Sequence, residues 1–179
     1  MTTPVLWQGD KRWRDLRIGV VRPGAPKCSA VGCLVTAYAQ ALRDLDIEAE
    51  ATPITVQARG VFVRSSLIQP DTAKAVGLIA DDVVRTIQGQ QAMRTTLVTA
   101  LASGARVILH VDGDHDDGSD EGRHFVLARR LEGDVVVVAD PATAREERLS
   151  LATLSGPVRW SADDVKQYEV RSVRPLRRA

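Results

Sequence analysis

Residues 124–141, HFVLARRLEGDVVVVADP, form two apolar runs around a glycine, with a proline at the end. Runs of this length rich in β-branched residues, split by a turn signal, predict a β-hairpin. His124–Arg130 is the first strand and Asp134–Asp140 the second, and Pro141 stops it because proline has no N–H for a ladder. With Leu131-Glu132-Gly133 as a three-residue loop and Gly133 left-handed, Arg130 pairs with Asp134. His124 then lies directly opposite Asp140 on one face of the sheet, at the ~5 Å spacing of cross-strand neighbours. A two-residue loop would shift the register by one and separate the pair onto opposite faces.

Working outward, Arg94–Ala102 reads as a helix capped by Ser103-Gly104, and Ala105–Val111 as a strand leading towards the hairpin. Six acids crowd Asp112–Glu121 between them. Upstream, Cys33–Leu45 carries apolar residues at 34, 37, 38, 41, 42 and 45, a helical face, and predicts a central buried helix. Asp71–Leu78 and Asp81–Gln88 read as short helices, and Thr52-Pro53 as a helix breaker. Residues 1–20 read as an irregular arm anchored by Trp7 and Trp13. After Glu146 come short edge elements and, at residues 171–179, a frayed basic tail with Arg171, Arg174, Arg177 and Arg178. Helices first and antiparallel strands after predict an α+β arrangement in one domain spanning 1–179.

Composition removes several classes of function. Lys+Arg 24 against Asp+Glu 23 gives a net charge of +1, so no overall positive field marks a nucleic-acid partner. No apolar run approaches the ~18 residues of a membrane span. The N-terminus shows no basic segment followed by an apolar one, which predicts a cytoplasmic chain as synthesised, although export without a signal stays open. Asp112-Gly113-Asp114-His115-Asp116-Asp117-Gly118 is not an EF-hand loop: counted from Asp112, the sixth and twelfth positions hold Asp117 and Arg123 instead of Gly and Glu. The acidic loop reads either as a solvated lip or as a selector of basic substrates. Cys28 and Cys33 lack the two further ligands zinc requires. No cofactor and no metal are expected.

Cys33 follows Gly32 at the start of the central helix, where unpaired N–H groups and the helix dipole favour a thiolate over a thiol. A nucleophile there needs a base and an orienter, and His124 and Asp140 can supply both. Trp7-Gln8-Gly9-Asp10-Lys11-Arg12-Trp13, followed by Leu16-Arg17-Ile18-Gly19, resembles the Q-x-D-x-R-W … L-G arm of C39-like, papain-fold cysteine peptidases. Gly32-Cys33, Thr52-Pro53, Gly104–Ile108, His124-Phe125-Val126 and Asp140-Pro141 match that family's further motifs in order. The resemblance covers roughly residues 7–145.

That resemblance implies a papain-like fold, with the Cys33 helix packed on an antiparallel sheet. It also implies Cys33 as nucleophile, His124 as general base and acid, Asp140 as orienter, and Gln8 as a donor to the oxyanion beside the Cys33 backbone N–H. The expected activity is hydrolysis of a peptide or other amide bond. The alternative is a catalytically inactive binding module of the same shape.

Overall fold

The protein is described here by a computed structural model covering residues 3–20, 24–64, 66–113 and 123–179, with Arg123 by its backbone alone. Five helices are α1 (Cys28–Val31), α2 (Cys33–Asp44), α3 (Pro53–Arg59), α4 (Gln69–Ala75) and α5 (Gln90–Ala102). Ten strands are β1 (Phe62–Val63), β2 (Ser66–Leu67), β3 (Leu78–Ala80), β4 (Val84–Arg85), β5 (Arg106–Asp112), β6 (Arg123–Glu132), β7 (Val135–Asp140), β8 (Arg145–Ser150), β9 (Ser155–Arg159) and β10 (Val165–Arg178). No helix among the described residues is long and apolar enough to cross a membrane.

The expected papain-like helix on a sheet is not what forms. Strands β5 to β10 run antiparallel in the order β10-β5-β6-β7-β8-β9, and β9 pairs back onto β10, closing a six-stranded barrel. β3 and β4 add to the free edge of β10, and the helices are few and mostly short. The physical reason lies in the C-terminal third. Residues 171–178, expected to be part of a frayed basic tail, belong to a 14-residue strand with β5 on one edge and β9, β4 and β3 in succession on the other. Two of its arginines are ion-paired: Arg171 with Asp112 at 3.0 Å and Glu169 at 3.1 Å, and Arg177 with Asp81 at 3.3 Å.

Alternation along the barrel strands sorts side chains into two layers. Val107, Leu109, Val111, Val126, Ala128, Val136, Val138, Val158 and Val170 fill the barrel, joined by Met93 and Leu97 of α5. Each such side chain contributes roughly 1.5–3 kcal/mol by leaving water. Ile108, Leu127, Ala139 and Leu176 face outward onto α2. α2 is buried from Val35 to Leu42, covered outside by the N-terminal arm through Leu6 and Trp13. Gln40 fixes this layer, accepting from the Leu6 N–H at 2.8 Å and donating to Asp44 Oδ1 at 2.9 Å.

Two local readings are also corrected. Thr52-Pro53 opens a helix instead of breaking one: Thr52 is the N-cap of α3 and Pro53 its first residue, where a missing N–H costs nothing. Residues 81–88 form β4 and a 3-10 turn (Thr86–Gln88), not an α-helix.

The hairpin turn differs most instructively. Its loop is two residues, Gly133-Asp134, with Gly133 at φ 58° in the first central position, as a type II′ turn requires. Arg130 therefore faces Val137, a register that would put His124 and Asp140 on opposite faces. A β-bulge at Arg129 resets it, so that Ala128 faces Val138 and Leu127 faces Ala139. Beyond the bulge, Asp140 falls opposite Val126 and is a diagonal neighbour of His124 on the same face. The shared face expected from the sequence is present, but the bulge produces it.

Arg129 holds that bulge in place. It is 5% exposed, and its guanidinium grips Asp44 at the end of α2 in a bidentate pair of 2.6 and 2.8 Å. It also donates to Glu146 at 2.9 Å and to the Thr3 carbonyl at 2.9 Å. Arg130, beside it, shares Glu146 Oε1 at 2.7 Å.

Candidate active site

One end of the barrel is where β5 finishes, β6 starts and β7 finishes, and the candidate residues gather there. His124, second in β6, sits opposite Val111 and turns to the barrel side of the sheet at its rim. Asp140 ends β7. The two are 6% and 0% exposed, and His124 Nε2 lies 2.7 Å from Asp140 Oδ1. Asp140 engages Nε2, which leaves Nδ1 as the other ring nitrogen. Cys33 lines the same cleft as His124 and lies near enough to help raise the imidazole's pKa.

Cys33 reaches this rim from the first position of α2 and is half-buried. No side chain caps that helix end, so its first N–H groups remain as donors. The joint between α1 and α2 is tight at Gly32: a Cβ there would collide with the Cys28 Sγ and carbonyl oxygen and lie 2.9 Å from the Cys28 Cα. Glycine is required by this close approach, and the approach fixes where Cys33 emerges.

A second ring of groups orients Asp140. Tyr168 of β10 donates its hydroxyl to Asp140 Oδ2 at 2.8 Å, and Trp160, just after β9, donates its indole N–H to the Tyr168 oxygen at 2.7 Å. The Ala142 N–H donates to Oδ1 at 2.8 Å. Both aromatic rings flank the imidazole at 5.8 Å between centroids. Sequence reasoning missed Tyr168 and Trp160, since each lies in the stretch taken for edge elements and tail. The signal available was the alternation of Tyr168 and Val170 between charged residues.

The electrostatics follow from these contacts. Burial alone would pull the His124 pKa down, yet the hydrogen bonds and charges of Asp140 and Cys33 outweigh it and raise it from 6.5 to about 10. Burial pushes Asp140 the other way from its partners; the His124 bond, with the Ala142 N–H and Tyr168 hydroxyl, wins and holds its carboxyl below the usual range. Burial raises Tyr168 far above an ordinary phenol, which keeps it a neutral donor. Cys28 is wholly buried, its thiol pushed up to about 11 by burial, and both cysteines are free.

Gln8 is brought to the same cleft as Cys33 and His124, a cavity of about 800 Å³. Its backbone N–H donates to the Pro141 carbonyl at 2.9 Å, next to Asp140, and its Nε2 donates to the Ser29 carbonyl at 3.1 Å. One Nε2 proton is thus held by α1 and the second has no such partner. All four residues singled out from the sequence therefore meet. The acidic loop lies outside the described residues from 114 to 122, and with it the proposed selection of basic substrates. Among the described residues no group of three or more His, Cys, Asp or Glu could hold a metal ion. No protein-family model and no curated protein matches the chain.

Proposed function

We propose that this protein is a thiol-dependent hydrolase that cleaves a peptide or other amide bond through an acyl-enzyme on Cys33. The observation that carries the reading is the buried 2.7 Å His124–Asp140 bond at the cleft that Cys33 also lines. The order Gln8, Cys33, His124, Asp140, which resembles that of C39-like cysteine peptidases, supports the same chemistry.

In this reading His124 Nδ1 takes the Cys33 proton, and Asp140 stabilises the imidazolium through Nε2–H. The thiolate sulfur bonds to the substrate carbonyl carbon. The Cys33 backbone N–H and the second Gln8 Nε2 proton stabilise the oxyanion. As the tetrahedral species collapses, the C–N bond breaks and the amine leaves with the Nδ1 proton. Water then gives a proton to Nδ1 while its oxygen attacks the thioester carbonyl, and the C–S bond breaks to release the acid.

The test is the pH dependence of Cys33 alkylation by iodoacetamide in a Cys28→Ser background, with and without His124→Ala. Fast alkylation persisting well below pH ~8.5, the range of an ordinary thiol, and lost with His124→Ala, is the expected result. A slow, ordinary profile in both proteins rejects the nucleophile and favours the binding-module alternative.

A further inference from the structure

The cleft that holds Cys33 runs away from it over the outer face of the barrel, and its floor follows one row of the strand registers. Phe125 pairs with His110, His110 with Ser172, and Ser172 with Arg85, so β6, β5, β10 and β4 each contribute one residue to that row. All four line the cleft. The row begins beside His124 and ends on Arg85. Arg174 lies two residues along β10 from Ser172 on the same face, a diagonal neighbour of Arg85, and lines the cleft too.

Other barrel arginines, such as Arg129, Arg130 and Arg171, are held in ion pairs, but neither Arg85 nor Arg174 has a carboxylate partner among the described residues. Arg174 makes one long contact, to the Asp81 carbonyl at 3.4 Å, and its Nε is buried with no partner among the described residues. No Asp or Glu among the described residues lines the cleft at all. Two guanidinium groups on one floor, neither paired with a described carboxylate, form a receptor for an anion, and their forked donors match a carboxylate in plane.

We propose that Arg85 and Arg174 bind a carboxylate of the substrate and so set which chains reach Cys33. This rests on the hydrolase reading and adds the substrate class: an acidic peptide or an amide bearing a nearby carboxylate. Spacing fixes the separation. Three strand intervals of ~4.8 Å put Arg85 about 14 Å from Phe125 along the sheet, and an extended chain advances ~3.3 Å per residue. The carboxylate therefore sits within about four residues of the attacked bond, fewer by the length of the arginine itself.

The probes are iodoacetyl peptides that label Cys33 directly: iodoacetyl-(Gly)n-Glu-amide and its Gln twin, with n from zero to three. They are reacted with the Cys28→Ser chain at low salt and about pH 9, where an accessible thiol reacts without activation. Intact-mass spectrometry gives the Glu-to-Gln rate ratio within each protein. The expected ratio is about tenfold at the best n, falling towards one in Arg85→Gln/Arg174→Gln and in high salt. A ratio near one at every n in the otherwise intact chain overturns the proposal, as does a preference that survives the double substitution. Arg85→Gln alone, at an exposed position, gives a partial loss and guards against misfolding of the double variant. The same ratio persists in His124→Ala, so failure of His124 to activate Cys33 and failure of the arginine subsite are read separately.

Discussion

Replacing Arg129 with methionine tests what fixes the phase of His124 against Asp140. The side chain is 4% exposed and Asp44 only 1%, so the ion pair is screened by protein on all sides. Methionine keeps the length and packing of the stem but removes both bonds to Asp44, the bond to Glu146 and the bond to the Thr3 carbonyl. Asp44 then keeps Gln40 Nε2 at 2.9 Å, the Thr3 hydroxyl, and Arg106 at 3.6 Å, which is too long for a strong bond. Stranding one charge of a buried pair costs about 3–5 kcal/mol, whereas replacing both members by apolar groups is close to neutral. Urea denaturation of Arg129→Met is therefore expected to show a loss in that range, and Arg129→Met/Asp44→Leu to recover most of it. Cys33 alkylation at about pH 6.5 supplies the second readout. It should fall in both variants, because neither keeps the anchor that holds the bulge. A single variant that loses under ~1 kcal/mol, or keeps full reactivity at Cys33, refutes the assignment of the register to this side chain.

Two other outcomes follow from the hydrogen-bond ring and the titration of His124. Tyr168→Phe leaves Asp140 Oδ2 without its donor and should cost about 1.5–3 kcal/mol in chemical denaturation, as for a bond to a charged group; a change within about 0.5 kcal/mol would mean water replaces the hydroxyl. His124 binds its proton more tightly when folded, its pKa raised to about 10 from 6.5, so its contribution to stability is complete below about 6.5 and lost as pH rises through about 10. The denaturation midpoint of the native chain should thus exceed that of His124→Gln by a margin that shrinks over this interval; a margin independent of pH there contradicts the ion pair.

The elements with a clean period were legible. Cys33–Leu45 was read as a helix at nearly its observed limits and Arg94–Ala102 one turn short at its start, and the strand at 105–111 and the two hairpin strands lie within two residues of those observed, because each alternates or turns with an apolar face. β10 was not, for a physical reason. Its inward residues Tyr168, Val170 and Val173 lose strict alternation at the bulge between Val170 and Ser172, and arginines are interspersed along the rest of the strand. Read as charge, that pattern is a solvated tail; read as a bulged strand, it is the piece that closes the barrel. The hairpin turn carried its signal in Gly133-Asp134, but a bulge at an Arg-Arg pair has no local signature. It is set by Asp44 and Thr3, 85 and 126 residues away in the chain. Cys33, His124 and Asp140 were singled out by residue chemistry and Gln8 by the family resemblance, and the structure brings them to one end of the barrel. Tyr168 and Trp160 were missed because nothing in the sequence marks an aromatic that holds a carboxylate, or the aromatic that donates to it in turn.

The closure of the barrel on β10 also sets when the candidate site is complete. A nascent chain that has emerged only as far as Pro141 already contains Gln8, Cys33, His124 and Asp140. It lacks β9 and β10, and with them Trp160, Tyr168 and the wall that shields Asp140 from water. At a synthesis rate of roughly 5–20 residues per second, the remaining stretch to Arg178 takes seconds to appear. Pairings this distant in sequence are also slow to form. The hydrogen-bond ring around Asp140 is therefore complete only once β10 has docked.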